Sequence, residues 1–200
     1  MVTIGVLALQ GDFAEHKRLL EELGATAVEV RTVDQLEELD GLILPGGESS
    51  TVGKLLEAFD LLEPVRSLIT GGLPTLATCA GMVLLARDAT EKRGPLVGTM
   101  DIQVSRNAFG RQRDSFETEL DVPALGEEPV HAVFIRAPAI TEHGPDVQVL
   151  AQTHDGTIVA AREGNQVAAA FHPELSGEPR FHRLLLELVK ARKAEKPALK

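Results

Sequence analysis

A second cysteine is missing from this sequence. Cys79 stands alone among 200 residues, so no internal disulfide can form and the thiol itself has to be explained. Positive charge is also scarce: twenty Lys and Arg against thirty Asp and Glu leave a net charge of -10. That balance opposes general affinity for phosphate backbones and anionic lipid surfaces, so neither nucleic acid nor a membrane is expected as a partner. Apolar runs such as Val2 to Leu9 are interrupted, here by Thr3 and Gly5, and fall far short of a membrane span. The opening MVTIGVLALQGD lacks the basic and fully apolar regions of a secretory signal, and the chain reads as soluble and cytoplasmic. Internal repeats and linkers are likewise missing.

What is present suits one sizeable core: 44% of the residues are hydrophobic. A single domain is expected over 1–193, with 194–200 as a fraying tail. VTIGVLAL (2–9) is a nearly continuous apolar run, the mark of a strand buried on both faces. Asp12 with Glu15 resembles a capping box for the helix FAEHKRLLEEL, which Gly24 ends. The unit recurs as the strand TAVEV (26–30), a short helical DQLEEL (34–39) and the strand GLILP (41–45). Such alternation implies a parallel sheet with helices on both faces, and ligands bind such sheets at the carboxyl ends of the strands. The next strand, PTLAT (74–78), ends at Cys79.

After Arg87 the pattern changes to strands with hairpin signals: GTMDIQVS, SFETELDV, HAVFIRA, VQVLAQ, TIVAA and QVAAAF. EPRFHRLLLELVKARK (178–193) then closes the domain as an amphipathic helix. The fold class is therefore α/β: a three-layer sandwich around a flavodoxin-like mixed sheet, with a parallel core and antiparallel additions in the second half.

Strand, Cys79, Ala80-Gly81 and a helical MVLLA form the layout of a nucleophile elbow, whose tight turn tolerates only small neighbours. By itself the cysteine reads as a buried inert thiol. A thiolate nucleophile needs a proton-transfer partner with an orienting acid, and FHPEL offers His172 and Glu174. The proline biases His172 to an extended conformation, in which residues two apart share a side. Taken alone, the pair reads as an ordinary surface histidine beside a carboxylate. The loop LPGGESST supplies Gly46 and Gly47, which let backbone N–H groups approach a ligand, followed by Ser49, Ser50 or Thr51 as a helix cap. Without its neighbours it fits a turn and a cap equally well. It lacks the Gly-Lys-Ser/Thr ending of a phosphate-binding loop.

In this order the elbow, the Pro-Gly-Gly-Glu-Ser loop and His-Pro-Glu resemble the triad-type (class I) glutamine amidotransferases. Within that family the resemblance is to the glutaminase subunits of pyridoxal 5'-phosphate synthase. It rests on IGVLALQGDFAEH (4–16), LILPGGESST (42–51), TCAGMVLLA (78–86), MDIQVSRNAFGRQ (100–112), VFIRAP (133–138) and AAFHPEL (169–175), of which the first and fourth single out this branch. The resemblance implies hydrolysis of L-glutamine with Cys79 as nucleophile, His172 as general base and then acid, and Glu174 as its orienting partner. It implies Gly46, Gly47, Glu48 and Ser49, with Ala80, as the glutamine and oxyanion segment. Arg106, Ile135 and Arg136 become further glutamine-binding positions, and Gln10 lies near the oxyanion site. One departure is Ala77, where the family commonly has glycine.

Two cations in an acidic chain, Arg106 and Arg136, suit the α-carboxylate of an amino acid, and Glu48 its ammonium; outside this context they are ordinary surface charges. The implied partner is a separate synthase (lyase) subunit that takes up the ammonia, with pyridoxal phosphate as product of the complex. No cofactor of this chain is expected. Cys79, His172 and Glu174 make a poor closed zinc set, so no metal is expected either. The competing readings are a glutaminase for another biosynthesis and a non-catalytic cysteine-elbow protein.

Overall fold

The uninterrupted apolar runs become the parallel strands. The computed structural model describes residues 2–91, 93–110 and 115–195. Along the first half run β1 (Thr3–Leu7), α1 (Phe13–Glu22), β2 (Thr26–Val30), β3 (Gly41–Leu44), α2 (Ser49–Ala58), α3 (Leu62–Thr70), β4 (Thr75–Thr78) and α4 (Ala80–Leu85). Every residue of β3 and β4 is buried, which only a strand covered on both faces achieves. The second half holds β5 (Ala86–Ala89), β6 (Met100–Ser105), β7 (Ser115–Leu120), β8 (Val130–Ile135), β9 (Ala139–His143), β10 (Gln148–Gln152), β11 (Ile158–Glu163) and β12 (Gln166–Ala169). The helices α5 (Pro173–Ser176) and α6 (Arg180–Glu195) follow.

The main sheet has the order β2-β1-β3-β4-β12-β11-β9-β6-β5, with β10 on β11. From β2 to β12 the pairings are parallel, and from β12 through β6 antiparallel. The path from β1 to β2 steps one way across the sheet and the path from β3 to β4 the other. Right-handed crossovers therefore put α1 on one face and α2 with α3 on the opposite one. The mixed α/β fold with a parallel core is the one expected.

β12 decides the position of the site. It comes from the far end of the chain yet lies beside β4, with Ala168 opposite Ala77 and Ala169 opposite Thr78. Small side chains let the two strands and their covering helices pack closely, and the alanines 168–170 are fully buried. The carboxyl ends of β4 and β12 are thus adjacent, and Cys79 N–H donates to the carbonyl of Ala169 at 2.8 Å.

Three local expectations are corrected. DQLEEL is not an α-helix: a 3-10 turn covers Val33–Leu36, where Gln35 Oε1 accepts from the N–H groups of Arg31 and Thr32, and Glu38 at φ 60° breaks away toward β3. β7 and β8 form a two-stranded sheet of their own. Their apolar face is spent on an aromatic row: Phe116 stacks on Phe134 at 4.5 Å, Phe134 meets Phe171, and Phe171 meets Phe181 of α6. Burying Phe171 contributes about 2–3 kcal/mol and seats the hairpin over the end of β12. Asp12 precedes α1 without a side-chain capping bond, because its carboxylate is turned elsewhere. Helix α6 continues to Glu195; the positions of the expected tail from 196 onward, and Arg111 and Gln112 of the quoted motif, lie outside the described residues. Among the described residues no helix is long and apolar enough to cross a membrane.

Candidate active site

Cys79 occupies a turn that few side chains accept. Its φ of 48° and ψ of -107° lie in left-handed territory, at a cost of about 1–3 kcal/mol for a residue with a Cβ. Packing from both sides holds it there. Gly81, two residues on, faces the β3 backbone so closely that a Cβ would stand 1.9 Å from the carbonyl oxygen of Leu44. Ala77 is accommodated in β4 between Leu44 and Ala168 and is fully buried. The Cys79 side chain is 8% exposed, and Sγ lies 3.9 Å from the carbonyl of Ile135.

His172 and Glu174 meet by a different route from the extended one expected. His172 caps α5, and Glu174 sits one residue inside it beyond Pro173, so a helical turn closes the pair. Nδ1 of His172 donates to Oε1 of Glu174 at 2.6 Å, since a carboxylate can only accept. The backbone N–H of His172 donates to the carbonyl of Val133 in β8, so the hairpin fixes the histidine. Burial pulls the His172 imidazolium down, but hydrogen bonds to Cys79 and Glu174 and their negative charge outweigh it and push its pKa up to about 10. Burial pushes Glu174 up, against the hydrogen bond and charge of His172.

The third segment comes from the end of β3. Gly46 lies beneath the imidazole, where a Cβ would stand 2.4 Å from Cε1 of His172, and Gly47 opens toward solvent at φ 152°. Glu48, and not Ser49, Ser50 or Thr51, caps α2: its side chain accepts from Thr51 N–H and from the Ser50 hydroxyl. Its other oxygen pairs with Arg106 at 2.5 Å. Burial would raise the Glu48 carboxyl; the hydrogen bonds and Arg106 hold it below its ordinary value. Gln10 Oε1 accepts from Glu48 N–H at 2.7 Å, tying the end of β1 to this loop.

These side chains surround a cavity of about 590 Å³, a volume typical of small-molecule sites. Gln10, Gly47, Glu48, Ser49, Cys79, Ala80, Arg106, Ile135, Arg136 and His172 line it, whereas Gly46 and Glu174 stand behind His172. Asp12 lines it too, with Oδ2 3.4 Å from Nδ1 of His172. The sequence offered no signal for that role, because Asp12 reads locally as a cap. Asn107, Pro138 and Leu175 also reach the cavity without a pattern that marks them. Ligand atoms of Asp12, His172 and Glu174 lie within 4.8 Å of one another, a possible metal set among the described residues. An ion there would take Nδ1 of His172 away from Glu174.

Behind the site His182 is fully buried, and burial lowers it to about 4 against the pull of Glu178. A histidine whose folded value is depressed below 6.5 gives stability that is lost as pH falls from 6.5 toward 4. Relative to His182→Gln, the wild type is expected to lose about 3 kcal/mol across that window, read from urea midpoints at each pH. Equal slopes for the two proteins would contradict this.

A strained cysteine elbow, a histidine held by a carboxylate and a polar cavity at the carboxyl ends of parallel strands define the class: the glutamine amidotransferases. The chain belongs to the SNO glutamine amidotransferase family, whose sequence profile matches residues 6–191. It is 56% identical over 190 residues to a Herpetosiphon aurantiacus protein named pyridoxal 5'-phosphate synthase subunit PdxT, covering 94% of this chain and all of the relative. A Moorella thermoacetica protein of the same name is 57% identical over 186 residues, 93% of this chain and 98% of the relative. A crystal structure described as a glutamine amidotransferase superposes with a TM-score of 0.88 at 47% identity, covering 94% of this chain and 98% of that one. Membership makes the chain a glutamine-hydrolysing enzyme.

Proposed function

We propose that this chain is the glutaminase subunit of a pyridoxal 5'-phosphate synthase, releasing ammonia from L-glutamine and passing it to a synthase subunit. The observation that carries the reading is the Cys79 elbow beside a histidine bound to Glu174 at 2.6 Å; the relatives' shared name supports the pathway. Residues 1–193 act as one glutaminase domain.

The thiolate of Cys79 attacks the side-chain amide carbon, and backbone N–H groups at Gly47 and Ala80 receive the charge on its oxygen. Imidazolium His172 gives its proton to the nitrogen, the C–N bond breaks and ammonia leaves a γ-glutamyl thioester. Water then attacks, His172 takes its proton, the C–S bond breaks, and glutamate departs. Glu174 holds the imidazole in the tautomer that presents Nε2 to sulfur and substrate. Arg106 and Arg136 serve the α-carboxylate of glutamine, with Glu48 for its ammonium and Ile135 alongside. The thiol must be reduced to react, which suits the cytoplasm. Exposed Ile135 and Leu175 flank the cavity mouth and suit contact with the synthase subunit.

The test is glutamate release by the purified chain with and without a pyridoxal phosphate synthase subunit. Release that rises with that subunit supports both halves; release indifferent to it moves the pathway elsewhere, and none under either condition ends the glutaminase reading. A further expectation follows from the His172 value of about 10. On the alkaline side, at saturating glutamine, kcat falls as pH rises through about 10, where the imidazolium is lost, and an alkaline limb near 7 would contradict the ion-paired mechanism.

A further inference from the structure

Behind Glu174, on the side away from the cavity, lies a buried polar chain that no step above uses. His16 of α1 and His182 of α6 are fully buried, and Nδ1 of His16 is 2.9 Å from Nε2 of His182. The other nitrogen of His16, Nε2, lies 3.1 Å from Oγ1 of Thr78, the residue before Cys79, and 3.4 Å from Oε2 of Glu174. That carboxylate oxygen has no hydrogen bond of ordinary geometry, and neither has Nδ1 of His182.

Two neutral arrangements satisfy the contact between the rings. If His16 carries its proton on Nδ1, its Nε2 lone pair accepts from the Thr78 hydroxyl but also stands 3.4 Å from a carboxylate oxygen, and His182 must bury an unpaired N–H. If His16 carries it on Nε2, that N–H faces Oε2 of Glu174 and Oγ1 of Thr78. His182 then donates to His16 and leaves an acceptor unpaired, while the Thr78 hydroxyl accepts from His16 and turns its own proton away from it. Orphaned buried N–H groups are rarer than under-used acceptors, and a buried carboxylate needs a donor. Burial, His182 and His172 all hold His16 well below its ordinary pKa, so the neutral ring is the relevant one.

We propose that His16 is a positioning residue for the glutaminase site, its Nε2–H supporting the second oxygen of Glu174 while His182 fixes its tautomer. The inference rests on the triad reading given above. Without His16, Glu174 keeps the donors on His172 and on its own backbone but loses the one facing Oε2, and it takes up a proton at higher pH, which releases its hold on the imidazole. Around Glu174 the charged or titratable groups are His172 and Asp12 toward the cavity, with Cys79 beyond them. His16 and His182 lie behind, with Glu178 acting on His182.

The experiment measures kcat against pH for the complex with the synthase subunit. His16→Leu is expected to lower kcat about tenfold, the low end of what a hydrogen bond to a charged group contributes because the 3.4 Å contact is long, with KM little changed and the acid limb moved to higher pH. His16→Gln, whose amide N–H reaches the place of Nε2, is expected to restore most of kcat and return the limb. A purely structural role would lower stability equally in both variants and leave the limb in place, which overturns the proposal. Long-range 1H–15N correlation on the 15N-histidine wild type decides the tautomer even if the leucine variant does not fold. A proton on Nε2 of His16 supports the proposal, and one on Nδ1 overturns it. Wild type without turnover in an intact complex sinks the glutaminase reading and this inference with it.

Discussion

Cys79→Ala is expected to lower glutamate release in the presence of the synthase subunit by roughly a thousand-fold or more, while urea unfolding stays close to that of the wild type. The expectation has two parts with separate reasons. Chemically, the sequence contains no second thiol, and the His172 imidazole is hydrogen-bonded to this one. Nothing nearby can replace it. Structurally, Sγ makes a long contact, 3.9 Å to the carbonyl of Ile135, beside its bond to His172, and alanine keeps the Cβ that the strained turn already tolerates. Steady-state glutamate release and a urea midpoint measure the two parts. Residual activity within tenfold of wild type would remove Cys79 from the mechanism.

The second large effect concerns the elbow and not the thiol. Gly81→Ala would place a Cβ 1.9 Å from the carbonyl oxygen of Leu44 and 2.8 Å from its carbon. Those atoms belong to β3, which is paired on both sides and cannot retreat. The turn itself must move. We expect a loss of roughly 3 kcal/mol of stability and a fall in kcat of roughly a hundred-fold, because displacing the nucleophile by about 1 Å costs that much. Thermal or urea unfolding together with glutamate release measures both, and a variant within 0.5 kcal/mol of wild type, at roughly the margin of ordinary surface substitutions, would show that the elbow is not held by this contact.

Parts of this site were legible in the residues. Buried parallel strands leave continuous apolar runs, so β1, β3 and β4 stand out, and the cysteine follows the last of them directly. The Pro-Gly-Gly-Glu-Ser loop and His-Pro-Glu were visible as motifs, and their order carried the family resemblance. Their local geometry was less legible. Glu48 rather than a serine caps α2, and Asp12 leaves its capping role to approach His172, because each carboxylate has a tertiary cation or imidazole within reach. The His172–Glu174 contact is closed by a helical turn that the preceding-proline rule does not anticipate.

By itself the sequence determined the class of fold, the elbow, and the residue types available for an acyl transfer, since periodicity and short motifs are local properties of a chain. Only the tertiary structure decided that β12 inserts beside β4, and with it that His172 stands next to Cys79. It alone brought together His16 and His182, 166 positions apart, behind Glu174. Strand order and helix packing are set by how a whole core closes on itself. No local pattern records which distant carboxylate, ring or carbonyl will be left facing a given side chain.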